Sequence, residues 1–286
     1  MEIITSRQNR YVSEAVALCD RKAREKTGRF RFDGVKLLGE AASKGVELAY
    51  LLVSQSRESA VFERLSTLYG VERAALDCRI LVLADALFEK ISLENAPDGV
   101  ISVANRIDKF HKIATIYNDR IFTDGGEQAF VPQNTDTVLL LESVRDPLNM
   151  GALIRSAAAL GVDFIICSAD CADLYHPRTV RGAMGTLFTQ PILCVDCLPD
   201  AVRALRAMGH RVFAAALDRD AQCLGSFDFC PGDCAVIGNE GHGLCRETLE
   251  ACGRTVYIPM RPGVESLNAG VAGAILAWEL QRGKRR

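Results

Sequence analysis

From residue 138 onward, short apolar runs alternate with helix-forming stretches, and that order leaves few architectures open. Residues 138–144 read as a buried strand. Further strands are predicted over 164–167, 191–195, 212–217, 235–238 and 256–259. Helices are predicted over 150–160, 179–188, 199–208, 243–252 and 266–280, with Gly161 and Gly209 closing two of them. Strands and helices in strict alternation predict an α/β fold with a mainly parallel sheet and helices on both faces. Residues 1–107 alternate as well. Helices over 9–24, 34–44 and 59–69 and strands over 48–53, 79–83 and 100–103 suggest a smaller α/β unit. Between the halves lies 108–135, with Asp124-Gly125-Gly126 and Pro132-Gln133-Asn134-Thr135, turn residues that suggest a strand hairpin or a linker. The expected division is therefore 1–107, 108–135 and 136–286. A chain of 286 residues is long enough for two domains.

Charge narrows the reading less than pattern does. The net charge is −2, so any nucleic-acid surface must be local. Arg21, Lys22, Arg24, Lys26, Arg29, Arg31 and Lys36 form the densest basic run, diluted by Glu25 and Asp33 and interleaved with Gly28, Phe30 and Phe32. Such a run is either a solvated helix face or a surface that contacts RNA phosphates. The chain starts Met-Glu-Ile-Ile-Thr-Ser-Arg, with no apolar signal core. Its longest apolar stretch, 267–280, contains Asn268 and Glu279 and is too short to span a bilayer. A cytoplasmic, reducing setting is expected, with the eleven cysteines as thiols. Cys194 and Cys197 form a C-x-x-C with no second pair and no histidine cluster, and read as small buried residues rather than metal ligands.

Three segments carry chemistry. In the first, Asp146-Pro-Leu-Asn149-Met-Gly151-Ala-Leu-Ile-Arg155, Asn149 sits where a helix cap belongs. Arg155 falls among apolar residues on a helix expected to be largely buried. A buried guanidinium needs partners, either a structural carboxylate or an anionic ligand. In the second, Val236-Ile-Gly238-Asn239-Glu240-Gly241-His242-Gly243, a strand runs into a glycine-rich loop and then a helix. Ligands bind at such strand ends in open α/β sheets. The spacing is not the G-x-G-x-x-G dinucleotide fingerprint, and no G-x-x-x-x-G-K-[ST] occurs. In the third, Ile258-Pro259-Met260-Arg261-Pro-Gly263-Val-Glu265-Ser266-Leu267-Asn268, a loop enters a helix, with Ser266 as the expected N-cap and Asn268 in the first turn.

Together and in this order, the three segments resemble the signature motifs of the SpoU (TrmH-type) RNA 2′-O-ribose methyltransferases of the SPOUT superfamily. The resemblance covers about 136–280. The amino-terminal half more loosely resembles the ribosomal-protein-like substrate-binding domain often attached to these enzymes. The resemblance implies a deep trefoil knot in the carboxyl-terminal sheet, although knots are otherwise nearly absent from proteins. It also implies S-adenosylmethionine as cofactor, a homodimer, an RNA partner and no metal. Gly238, Gly241, Ile258, Met260 and Leu267 should line the cofactor pocket. Asn149, Arg155, Glu240, Ser266 and Asn268 are the carried-over catalytic candidates. Arginine is effectively always protonated. Arg155 is therefore expected to hold the target phosphate and stabilise developing alkoxide charge, with Asn149 orienting it and Glu240 balancing it. The chain departs from the commoner family pattern in having Ala183 after the second strand and Ala269-Gly270 after Asn268, both small residues in helices.

Ribosomal RNA is the favoured substrate, with transfer RNA as the alternative. A non-catalytic RNA-binding or ribosome-assembly protein on the same fold is the principal rival. A dinucleotide-dependent enzyme and a methylase of base nitrogens are the others.

Overall fold

A computed structural model describes residues 3–123, 130–218, 220–264 and 266–284. The Asp124-Gly125-Gly126 turn and Glu265 lie outside the described residues. The chain forms two compact units: Met1–Ile107 with Asp173–Phe188, and Asp108–Ala172 with Thr189–Arg286.

The first unit contains α1 (Arg10–Ala17), α2 (Arg21–Thr27), β1 (Arg29–Asp33), α3 (Val35–Ser43), β2 (Leu48–Ser54), α4 (Glu58–Tyr69), β3 (Arg79–Leu83), α5 (Asp85–Ile91) and β4 (Val100–Asn105). Its sheet has the order β1-β4-β2-β3, antiparallel except for β2 and β3. The helix predicted over 9–24 is two helices. Asn9 caps the first by accepting from Tyr11 N at 3.0 Å. Asp20 caps the second by accepting from Lys22 N at 2.8 Å. A second cap inside the predicted helix offers the backbone an alternative partner and breaks it there. Residues 173–188, expected in the second domain, belong to this unit. They include α7 (Pro177–Ala183), and Tyr175 and Phe188 pack on Phe30 and Phe32 with ring centres 4.8 and 5.6 Å apart.

The alternating Arg-Phe-Arg-Phe of β1 is a buried strand. Arg31 is fully buried, ion-paired with Asp33 at 2.7 Å and donating to Ala15 O at 3.2 Å and Ile91 O at 3.1 Å. Arg24, 1% exposed, pairs with Asp173 at 2.7 Å and donates to Leu18 O at 2.8 Å. A guanidinium survives burial when a counter-charge and acceptors meet most of its donors, and of these two arginines only Arg31 keeps a buried donor, Nε, without a partner among the described residues. The expectation that Arg24 and Arg31 contact RNA is therefore corrected: both are internal ties. Arg29 is half-buried and bonded to Glu14 at 3.0 Å, and Arg21 is paired with Glu25 at 2.7 Å. Lys22, Lys26 and Lys36 are exposed.

The second unit contains β5 (His111–Tyr117), β6 (Arg120–Thr123), β7 (Val138–Leu141), α6 (Pro147–Leu160), β8 (Phe164–Ser168), β9 (Ile192–Val195), α8 (Leu198–Ala207), β10 (Val212–Ala215), β11 (Gln222–Cys223), β12 (Cys234–Ile237), α9 (Arg246–Cys252), β13 (Thr255–Tyr257) and α10 (Ala269–Lys284). Its sheet runs β11-β13-β10-β12-β7-β8-β9-β5-β6. Only β5 and β6 pair antiparallel, so the segment expected as hairpin or linker extends the sheet through β5 alongside β9. Every residue of β7 is buried, as a strand covered on both faces should be. The chain passes from β7 to β8 and β9 on one side, then returns to the other side at β10 and β12. This reversal next to β7 is where an open α/β sheet leaves a crevice at its strands' carboxyl ends. Above it α10 packs on α6. A Cβ on Gly273 would lie 2.1 Å from Leu153 Cδ2 and 2.8 Å from Ile237 Cδ1, so a side chain there would require both of these side chains to move.

Candidate functional site

A cavity of about 650 Å3 opens at the carboxyl ends of β10, β12 and β13. Its wall holds Gly238, Gly241, Ile258, Met260 and Leu267, brought together from the second and third of the three motif segments. Glu240, His242 and Ser266 share that wall, as do Ala215, Ala216, Leu217 and Tyr257, which sequence reading did not single out. Those last four lie in the carboxyl-terminal parts of β10 and β13 or just after them, so the general rule for strand ends was the available signal.

The glycine-rich loop is tightly folded. Asn239 and Gly243 exchange two backbone hydrogen bonds of 2.9 Å. The Asn239 Oδ1 accepts from Gly241 N at 2.9 Å and from His242 N at 3.1 Å, and its Nδ2 donates to Ser143 O at 2.8 Å. A Cβ on Gly238 would lie 2.3 Å from the backbone carbon of Gly243, so any side chain there would force the loop open. Glu142, directly after β7, anchors the far end of this loop. Its buried carboxylate accepts from Cys245 N at 2.9 Å and from Thr248 Oγ1 at 2.5 Å, holding the start of α9. A carboxylate abutting a fully apolar strand end must find partners, and that was the sequence signal for Glu142. Burial pushes the neighbouring Cys245 thiol up from its ordinary range.

The three motifs meet through side chains. Asn149, 8% exposed, donates from Nδ2 to Glu240 Oε1 at 2.7 Å. Asn268 Nδ2 donates to Asn149 Oδ1 at 2.8 Å. Asn268 Oδ1 accepts from Val271 N at 3.3 Å, in the first turn of α10. The backbone donor settles the direction of the whole chain, because an amide whose oxygen faces an N–H must present its nitrogen to the next group. Donors therefore run one way, from the amino terminus of α10 through Asn268 and Asn149 to the Glu240 carboxylate on the cavity wall.

Three expectations are corrected. Asp146, not Asn149, caps α6, accepting from Leu148 N at 2.9 Å with Pro147 as the first helical residue. Asn268, not Ser266, occupies the cap position of α10, which starts at Ala269; Ser266 is exposed in the preceding loop. Arg155 is exposed rather than buried and makes no hydrogen bond or ion pair among the described residues. Asn149 therefore does not orient it, and Glu240 does not balance it. Six helical residues advance about 240° around the axis, which turns Arg155 away from the face that carries Asn149.

Among the described residues, no group of three or more His, Cys, Asp or Glu could hold a metal ion, and no helix is long and apolar enough to cross a membrane. Cys194 sits in β9 with its sulfur 3.3 Å from that of Cys167, while Cys197 is exposed just before α8.

The SpoU rRNA Methylase family matches residues 136–278, and the MRM3-like substrate binding domain matches residues 9–102. A 23S rRNA (uridine(2479)-2'-O)-methyltransferase from Streptomyces viridochromogenes is 30% identical over 98% of this chain and 91% of its own length. The 23S rRNA (guanosine(2553)-2'-O)-methyltransferase RlmP of Bacillus subtilis is 28% identical over 98% of this chain and 100% of its own. The crystal structure of the SpoU methyltransferase AviRb from Streptomyces viridochromogenes in complex with the cofactor AdoMet superposes with a TM-score of 0.76 at 28% identity, covering 96% of this chain and 98% of that one.

Proposed function

The chain belongs to the SpoU rRNA methylase family, and we propose that it transfers a methyl group from S-adenosylmethionine to a ribose 2′-hydroxyl of ribosomal RNA. The observation that carries this reading is the Asn268–Asn149–Glu240 relay, which joins all three motifs at the edge of one cavity.

The cavity fits the cofactor. About 650 Å3 is the size of a small-molecule pocket. Leu217, Leu244, Ile258 and Leu267 offer apolar surface to an adenine, and the loop at Gly238 and Gly241 offers backbone polar groups. Glu240 sets a carboxylate on the wall, a charge suited to a cationic sulfonium. When bound, the cofactor supplies an electrophilic methyl group on a positively charged sulfur. The protein's own contribution is alignment, which alone supplies much of the rate in such displacements. Asn149 and Asn268 fix the Glu240 carboxylate, Met260 and Ser266 complete the wall, and the exposed Arg155 offers a planar fork to an acceptor phosphate.

The same reading covers the finer features. The carboxyl-terminal segment threads as a trefoil knot, a path supported by the convergence of loops 238–244 and 258–268 on one cavity. The working form is a cytoplasmic homodimer. Leu148 on α6 and Val271 and Trp278 on α10 support it, since all three are about half exposed on helices that pack together. Residues 1–107 grip the RNA, with the exposed Lys22, Lys26 and Lys36 among the available cations.

The test is incubation of the purified protein with isotopically methyl-labelled S-adenosylmethionine and 23S rRNA from a strain lacking the gene. Label recovered in 2′-O-methylnucleotides is the expected result. Label in a base or nowhere would overturn it, as would label in transfer RNA but not ribosomal RNA when total RNA of the same strain is supplied instead.

A further inference from the structure

The four arginines of the dense basic run are consumed by internal pairing, leaving its three lysines exposed, and a second group of unpaired cations lies outside the run. Arg21, Arg24, Arg29, Arg31, Arg64 and Arg73 all meet carboxylates. Arg10 and Arg79 do not, and both are drawn onto Tyr11. Arg10 Nη2 donates to the Tyr11 hydroxyl at 2.6 Å and Arg79 Nη1 donates to it at 3.0 Å. Their guanidinium carbons lie 4.6 and 5.2 Å from the ring centre. Two like charges this close repel each other, and neither arginine forms an ion pair with a carboxylate among the described residues. The hydrogen bond from Arg10 holds the Tyr11 phenol below the usual tyrosine range.

The cluster is built rather than incidental. The backbone of Tyr11 is fixed by the Asn9 cap, and its carbonyl accepts from the hydroxyl of the buried Tyr50 at 3.0 Å. The two rings meet edge to face, with centres 5.0 Å apart. Beside them lies a cleft of about 380 Å3 that includes Ser6, Asn9, Tyr11, Arg79 and Ile80. It sits at the edge strand β3, where Ile4 pairs with only part of the open edge, through Val82 O and Ala84 N.

We infer that Arg10, Tyr11 and Arg79 form a phosphodiester-binding site for the RNA acceptor, with the β3-edge cleft taking the adjoining nucleotide. The inference rests on the methyltransferase reading for the identity of the anion. Two converging guanidiniums, neither ion-paired with a carboxylate among the described residues, suit the oxygens of one phosphate. A guanidinium already stacked on an aromatic ring leaves its other face open to a base. The arginines lie 69 positions apart in sequence, so no run of basic residues announces them.

Filter binding of 23S rRNA across a potassium chloride series tests this, comparing the natural protein, Arg10→Gln/Arg79→Gln and Arg73→Gln. Arg73 is already paired with Glu58 and serves as the control for loss of one surface cation. The double variant should bind about tenfold more weakly near 0.1 M salt. Its log–log salt slope should be shallower by about one, as expected for one lost phosphate contact. Arg73→Gln should match the natural protein, and calorimetric affinity for S-adenosylmethionine should be equal in all three. Equal rRNA binding by the double variant and the natural protein defeats this inference alone. A natural protein that binds rRNA but methylates none of it defeats only the methyltransferase reading.

Discussion

Asn268 uses the two ends of one amide for two tasks: its oxygen caps α10 and its nitrogen reaches Asn149. The tasks can be separated. Asn268→Asp keeps an acceptor for Val271 N but sets a second oxygen against Asn149 Oδ1. Asn149 must then turn its nitrogen away from Glu240 or leave two acceptors facing each other. The cap itself, worth about 1 kcal/mol, is kept, so the Asp variant should lose about 1–3 kcal/mol in urea unfolding, from the broken Asn149 bond alone. Its turnover should fall at least about tenfold, the cost of about 1.4 kcal/mol in the transition state. Full turnover in that variant would remove the relay from the mechanism. The residue types of this relay were readable in sequence, but their partners were not. Asn149 and Arg155 share a motif, so pairing them was reasonable, yet the helix turns them about 120° apart.

At the level of elements, α2 and β1 show how a basic run becomes part of a core. The Asp20 cap and the left-handed Gly28 bracket α2, and the chain then enters β1 with Phe30, Arg31 and Phe32 all facing buried surroundings. Asp33 and Asp173 supply the counter-charges for Arg31 and Arg24. Removing one partner of a buried pair leaves the other uncompensated, at a cost of about 3–5 kcal/mol. An exposed i,i+4 pair is worth about 0.3–0.5 kcal/mol. Arg24→Ala should therefore destabilise the protein by about 3 kcal/mol, and Arg21→Ala by less than about 0.5 kcal/mol, as read from urea unfolding. Equal effects would mean that Arg24 is not the structural tie its burial indicates. The period-two alternation of Arg29–Asp33 was a strand signal in plain view. Charge alone does not distinguish such a strand from a surface, because Asp33 and Asp173 cancel it only in the folded chain.

Across the whole molecule, thiols are dispersed through both units and several are buried. Burial pushes Cys252 up from an ordinary 9.0 to about 12 and Cys78 to about 11, and moves Cys234 in the same direction. Below pH 9 these groups are protonated in folded and unfolded chains alike, and their stabilising difference is intact. As pH climbs from about 9 toward 12 the unfolded chain loses protons that the folded chain keeps, so stability falls. Cys252 alone contributes up to about 1.4 kcal/mol per pH unit in that window. Urea midpoints measured under reducing conditions should decline above pH 9, and Cys252→Val should decline less steeply. A variant whose alkaline slope matches that of the natural protein would show that Cys252 titrates at its ordinary value.

The α/β alternation and the parallel sheet's main strands were legible in sequence because each depends on local periodicity, and part of the cavity wall was legible through short motifs read in order. The resemblance to the family's motifs, not local periodicity, implied a shared pocket for Gly238, Ile258 and Leu267, and all three line the cavity at the carboxyl ends of β10, β12 and β13. Burial and pairing were not legible, because they depend on which elements come to lie against each other. The return of the chain past β7 brings Glu240 to Asn149, segment 173–188 brings Asp173 to Arg24, and β3 brings Arg79 to Tyr11. Sequence decided which residues this protein has for holding charge. Only the tertiary structure decided which of those charges are cancelled inside and which remain open to a substrate, because cancellation requires contact at hydrogen-bond distance between residues far apart in the chain.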